Sequence, residues 1–244
     1  MYNGIILVDK PTGWTSFDVV AYIRKIVVRM VREHHEAEPS MCPNMKPGGC
    51  RCKVKVGHTG TLDPLATGLL QICIGTATKQ VQSLIKQDKT YEMTAQLGSK
   101  SDTGDSEGML TQVSDDQPSG EAVKEAVQSF VGDIEQTPPQ YSAIKVNGKK
   151  AYEYARAGET VELKPRQVKV YSIDFITYEY PYFAATASVS SGTYIRTLIE
   201  DIGKTLKTGA HMTALRRTRI GEASIDNAIT VEDITREFLE KRLA

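Results

Sequence analysis

Several common kinds of site have no material in this sequence. It holds four cysteines in 244 residues, and none stands at the C-x2-C spacing of common zinc modules. A disulfide scaffold is therefore not expected. No apolar run approaches the roughly 20 residues that span a bilayer. The N-terminus lacks the basic start, apolar stretch and cleavage site of a secretory signal. A cytoplasmic chain without membrane partners is the expectation. No phosphate-cradling P-loop, H-E-x-x-H pair, EF-hand spacing or nucleophilic Ser or Cys motif is present. The formal net charge is zero, which at first removes the usual electrostatic signature of nucleic-acid binding.

The distribution of charge restores that signature. Lys204, Lys207, Arg216, Arg217 and Arg219 follow one another with no acid between them. Residues 145–169 and 46–55 are also rich in cations, while the balancing acids gather between residues 102 and 135. A neutral total can thus hide a basic face that tracks phosphates, or can be two ordinary solvated surfaces of opposite sign.

The most informative stretch is residues 57–70, GHTGTLDPLATGLL. Two glycines bracket His58 and permit close approach by another molecule. Asp63 precedes Pro64, and that pair reads either as a helix N-cap with proline at the first helical position or as a carboxylate set out for chemistry. Residues 69–74 read as a buried strand. His58 is likewise open to a structural or a functional reading.

Around this stretch the chain reads as alternating strands and helices. Residues 4–9 predict a strand buried on both faces. Thr15 and Asp18 stand at capping-box spacing before a helix with Val20, Ile23, Val27, Met30 and Val31 inward. From about Arg32 to Lys55 the pattern breaks, and prolines and glycines forbid long elements. Cys42, Cys50 and Cys52, with His34 or His35, offer a zinc option there; the alternative is a reduced, basic loop. Residues 76–86 predict a helix that carries Lys79. Residues 89–97 alternate as a strand with Tyr91, Met93, Ala95 and Leu97 on one face. Residues 97–108 read as an acidic surface loop. A helix spans about 120–132, Asn147-Gly148 marks a tight turn, and strands follow at 168–178 and 182–190. Thr193 predicts an N-cap, which puts Arg196 in the first helical turn against the positive end of the dipole, at a cost of roughly 0.3–1 kcal/mol. Either the guanidinium splays into solvent, or it pairs with a buried carboxylate, for which Asp63 is the candidate. Residues 231–243 predict a last helix.

Five segments of the chain together resemble the TruB family of pseudouridine synthases. Residues 57–70 fill every specified position of that family's G-H-x-G-T-L-D-P-x-A-x-G-x-L motif. Residues 9–16 (DKPTGWTS), 89–91 (KTY), 192–196 (GTYIR) and 209–221 (GAHMTALRRTRIG) match its other motifs. The resemblance covers nearly the whole chain. It implies an α+β pseudouridine synthase catalytic fold in one domain: a large mixed, mainly antiparallel sheet with flanking helices and a central RNA-binding cleft. Residues 32–55 stand as a cysteine-containing insertion, and residues 133–164 as a mobile element that folds over RNA. TruB proteins usually carry a small C-terminal PUA domain, and none is expected here.

The implied activity is isomerisation of the T-loop uridine of tRNA to pseudouridine (the tRNA pseudouridine 55 activity), by a monomer with no cofactor and no metal. An added role in tRNA folding is compatible with it. Asp63 is implied as the catalytic residue, by nucleophilic attack or by removal of a ribose proton. His58 is implied to fill the gap left by the flipped base, and Tyr91 to stack on the uracil. Leu215 closes the apolar side of the pocket, Arg196 orients Asp63 and keeps it charged, and Lys79 and Lys10 meet substrate. Two readings from other classes stay open. One is a non-catalytic RNA-binding protein on the same scaffold; the other is a metal hydrolase built on His58, Asp63 and the cysteine loop. A guide-RNA-dependent relative is disfavoured without a PUA domain.

Overall fold

The computed structural model describes residues 2–38, 40, 42, 45–46, 49–50 and 53–243, with the backbone alone at 45–46 and 49–50. The chain divides into two compact units, Met1–Gln87 with Arg217–Ala244, and Asp88–Arg216. Among the described residues no helix is long and apolar enough to cross a membrane.

In the first unit the strand Gly4–Lys10 lies between two partners. It runs antiparallel to Thr67–Ile74 (Val8 opposite Leu70) and parallel to Ile229–Thr230 (Val8 opposite Ile229). Val56–His58 pairs antiparallel with Thr67–Ile74. The helix Ser16–Ala37 starts at the expected capping box, Thr15 with Asp18. It buries Val19, Val20, Ile23, Val27 and Met30 in a cluster with Ile6, Val8, Leu70, Ile72 and Ile74. Each such side chain contributes roughly 1.5–3 kcal/mol by leaving water. The helix Arg236–Leu243 closes the same core with Leu239 and Leu243.

The second unit is built on an antiparallel sheet in the order Lys89–Leu97, Tyr182–Val189, Arg166–Glu179, Gly132–Gln136. The first of these strands buries Lys89, Tyr91, Met93, Ala95 and Leu97 on one face, as its alternation requires. The helices Gly120–Gln128 and Ile195–Thr205 turn Val123 and Val127, and Leu198, Ile199 and Ile202, inward. The hairpin Lys145–Val146/Lys149–Lys150 turns through Asn147 and Gly148, both at positive φ (51° and 86°), the geometry that selects Asn-Gly. It leads into the short helix Ala151–Arg156. The strand Ala210–Ile220 begins in the second unit and ends in the first. The strand pairing is mainly antiparallel and is mixed by the parallel pair in the first unit, as the α+β expectation had it.

Several local expectations are corrected. No helix follows Pro64: residues 59–66 are irregular, and the strand begins at Thr67. The first helix continues past Arg32 to Ala37, because a polar last turn needs no apolar stripe once it leaves the core. The first strand buries one face only, with Ile5 39 % exposed. Residues 75–84 are a 3-10 turn followed by one turn of α-helix. The helix near 120–132 stops at Gln128, and Gly132 opens a strand. Ile195 begins its helix after Tyr194, not after Thr193.

Candidate active site

The first unit holds the irregular loop that carries Asp63, and the loop is held by its carbonyls. The Arg217 guanidinium donates to Leu69 O at 2.7 Å, Gly60 O at 3.1 Å and Thr61 O at 3.4 Å. Ser16 Oγ donates to Leu62 O at 3.0 Å and accepts from the Leu62 N–H at 2.8 Å. The Asp63 carbonyl accepts from the Ala66 N–H at 3.1 Å, and Pro64 O accepts from the Gly13 N–H at 2.8 Å. Thr12 Oγ1 donates to Leu65 O at 3.3 Å. Every main-chain carbonyl from Gly60 to Leu65 thus accepts a bond, so an aperiodic segment lies inside a domain without orphaned acceptors.

Two charged residues make this possible. Arg217 is 1 % exposed and Lys10 is fully buried. The Lys10 ammonium donates to Trp14 O at 2.6 Å, Pro11 O at 2.9 Å and Pro64 O at 3.4 Å. Lys10 was expected to meet substrate; the structure buries its ammonium among main-chain carbonyls beside Pro64 instead. Gly68 sits at φ +101°, and a Cβ there would lie 2.3 Å from Arg217 O, so only glycine lets these backbones meet.

His58 ends the strand Val56–His58 and is half-buried. Its Nδ1 accepts from the Gly60 N–H at 3.3 Å, which places the proton of the neutral ring on Nε2. Next to it Thr59 is fully buried and donates through Oγ1 to Gln71 Oε1 at 2.9 Å. Asp63 is half-buried. Since no helix follows Pro64, the N-cap reading of Asp63 is removed. Lys79 is exposed on the 3-10 segment Gly75–Gln80.

In the second unit Tyr91 and Leu215 are 8 % and 9 % exposed. Their strands are neighbours in the sheet, where Thr213 Oγ1 donates to Thr94 O at 3.2 Å. Arg196 lies in the first turn of Ile195–Thr205, as expected, but Thr193 does not cap that helix. Thr193 Oγ1 donates to Ser190 O instead. The helix entry is fixed by the buried Gln136, which accepts from the Tyr194 N–H at 3.0 Å and donates to Tyr194 O at 3.3 Å.

The Arg196 guanidinium donates to Thr103 O at 2.7 Å and Tyr141 O at 2.8 Å, and Nη1 lies 3.7 Å from Asp105 Oδ2. Asp105 is buried, and its Oδ1 accepts from Thr103 Oγ1 at 2.6 Å and from the Glu107 N–H at 3.1 Å. Residues 97–108 are therefore not a plain surface loop. They open the hairpin Ser99–Ser101/Leu110–Gln112 and deliver a buried carboxylate to Arg196. Nearby, Glu200 and His211 are pushed toward their neutral forms by burial: the Glu200 carboxyl titrates higher than usual and the His211 ring lower.

Sequence reasoning missed Asp105, Ser16 and Gln136 and read Arg217 only as one of a run of cations. For Lys10 and Arg217 a signal existed. Lys10 continues the inward alternation of Ile6 and Val8, and Arg217 that of Leu215. Of the zinc option, Cys42 is buried; Cys52 lies outside the described residues, and only the backbone of Cys50 is described. Among the described residues no group of three His, Cys, Asp or Glu side chains is placed to hold a metal ion.

The sequence matches the profile of the TruB family pseudouridylate synthase N-terminal domain over residues 49–195, and of the tRNA pseudouridylate synthase B C-terminal domain over residues 196–243. It is 42 % identical over 234 residues to tRNA pseudouridine synthase B of Ralstonia pickettii (strain 12J), covering 94 % of this chain and 66 % of that one. The same-named protein of Cupriavidus metallidurans is 42 % identical over 242 residues, covering 98 % and 69 %. Among solved structures, a chain of a Cbf5-Nop10-Gar1 complex superposes with a TM-score of 0.65 at 30 % identity, covering 96 % of this chain and 53 % of that one. The chain thus spans about two thirds of these curated relatives and about half of the solved one.

Proposed function

The chain belongs to the TruB family of pseudouridylate synthases, and from that premise we propose that it isomerises the T-loop uridine of tRNA to pseudouridine. The N-glycosidic bond breaks, the uracil turns, and a carbon–carbon bond forms. Nothing is oxidised and no group enters, so the reaction needs no cofactor. The observation that carries the reading is the Asp63 loop, whose carbonyls from Gly60 to Leu65 are all held. A catalytic carboxylate needs that preorganisation, because misplacement by about 1 Å can cost a hundredfold in rate.

Asp63 acts in its ionised form on the ribose, as nucleophile or as base. The Thr103 and Tyr141 carbonyls and Asp105 fix the Arg196 guanidinium in one orientation. Tyr91 stacks on the uracil and Leu215 closes its apolar side. His58 fills the space the flipped base leaves. Exposed Lys145, Lys149 and Arg156 take phosphates of the T-arm, and exposed Lys79 is a further phosphate contact. Lys10 acts as a positioning residue, not a substrate contact. The enzyme works as a monomer in the cytoplasm.

The test is conversion of an unmodified tRNA transcript beside one in which the T-loop uridine is replaced by cytidine. The reading requires one pseudouridine in the first and none in the second. Equal pseudouridine in both transcripts would place the activity at another site and refute the T-loop assignment.

A further inference from the structure

The first helix shows one feature that the catalytic reading does not use. Phe17 is 62 % exposed. A single exposed apolar side chain is ordinary, but this one is held in place. The Arg24 guanidinium lies over its ring, 5.8 Å from the centroid, and an Arg24 Nη donates to Val56 O at 3.0 Å. Val56 opens the strand that ends at His58. On the other side, Phe17 follows Ser16 directly, and the Ser16 hydroxyl brackets Leu62, one residue before Asp63. The aromatic–cation pair is thus tied, within the first unit, to the strand that precedes the Asp63 loop and, through the adjacent Ser16, to the loop itself.

We propose that Phe17, stacked with Arg24, is a platform for a base of the RNA substrate that flanks the target uridine. The proposal rests on the tRNA reading above. Bases stack on aromatic rings and on guanidinium planes with little regard to sequence. A ring fixed by a cation that is itself hydrogen-bonded loses little freedom when a base arrives.

The charge around the ring fits an RNA strand. Phe17, Ala21, Arg24, Lys25, Val28 and Arg32 follow one another along one side of the helix at helical spacing. Of the helix acids, Asp18 is taken up by Thr15, and Glu33 by Arg29 and Arg236. Glu36 is the remaining acid against Arg24, Lys25 and Arg32, so the side that carries Phe17 is net positive. A protein partner fits less well. The neighbours of Phe17 on this stripe are a small residue and two cations, so the apolar area is one ring and not a continuous patch.

The test measures equilibrium binding of a fluorescent tRNA transcript to the full chain with Asp63→Asn, so that no turnover disturbs the reading. Adding Phe17→Ala should weaken binding by about fivefold or more, the loss of one base stack. Phe17→Trp should keep the affinity of the parent. Arg24→Gln should also weaken binding, and should flatten its salt dependence. Melting temperatures of the Phe17 variants should match the parent, since the ring is exposed. If Phe17→Ala binds as tightly as the parent, the platform is refuted; if Phe17→Trp binds as weakly as Phe17→Ala, stacking is refuted. Conversion of the transcript by the native chain is scored separately. Weakened binding without any conversion by the native chain would sink the enzyme reading and leave the platform as an RNA contact.

Discussion

Replacing Arg217 by Met keeps most of the stem volume and removes the guanidinium. Three carbonyls, Gly60 O, Thr61 O and Leu69 O, then lose their donor. In a site 1 % exposed, water cannot readily replace it. At about 1–2 kcal/mol for each orphaned carbonyl, the loss is about 3–6 kcal/mol. Relief from burying a cation offsets part of this, so the lower half of the range is expected. For a chain of this length the melting temperature should fall by about 2–4 °C for each kcal/mol. The informative control is Leu239→Ala. Leu239 is fully buried in the same unit's core, and its truncation costs a similar amount, about 2–5 kcal/mol, without touching the loop. Single-turnover pseudouridine formation, measured well below both melting points, separates the two effects. Arg217→Met should lose about a hundredfold in rate as the Asp63 loop loosens, while Leu239→Ala keeps the native rate. Arg217→Lys should resemble Arg217→Met, because a point charge cannot reach three carbonyls as a fork does. A variant that melts like the native chain, or loses no more rate than Leu239→Ala, would refute the clamp.

Ser16→Ala should lower stability by about 1–3 kcal/mol in a thermal melt, since both Leu62 main-chain groups lose one partner. Gly68→Ala should be more damaging than Arg217→Met, because its Cβ would fall 2.3 Å from Arg217 O; an unchanged melting temperature would contradict the packing. Burial holds the His211 ring below the usual histidine range. The unfolded chain then binds the proton first, so stability is present above the ordinary histidine pKa and is lost as pH falls toward the depressed folded value. His211→Gln should remove that part of the acid-side drop in melting temperature. Glu200 has the opposite sign. Burial raises its carboxyl, so Glu200→Gln should be stabilising at neutral pH, with the gain disappearing on acidification; a gain that grows with acid would contradict this.

The elements legible in the sequence were those with a local signature: the Thr15/Asp18 box, the alternation of Lys89–Leu97, the Asn147-Gly148 turn and the 57–70 motif. What stayed hidden was set by distant partners. Asp63-Pro64 carries the local signal of a helix start, but its backbone is captured by Gly13, Ser16, Lys10 and Arg217, and no helix forms. Arg196 was correctly placed in a first turn, yet Asp105 as its neighbour could not be read, because a carboxylate in a Gly- and Ser-rich run looks solvated until a hairpin buries it. Lys10 shows the reverse case. Its position in a period-two strand already put it inward, and its charge obscured that.

The central claim is that Asp63, on a loop whose carbonyls from Gly60 to Leu65 all accept hydrogen bonds, isomerises the T-loop uridine of tRNA. Its most direct test is pseudouridine formation on an unmodified tRNA transcript by the native chain beside Asp63→Asn. The account predicts one pseudouridine per tRNA, in the T-loop, with the native chain, and none with the variant, which still binds the transcript. Pseudouridine formation by Asp63→Asn at the native rate would contradict it.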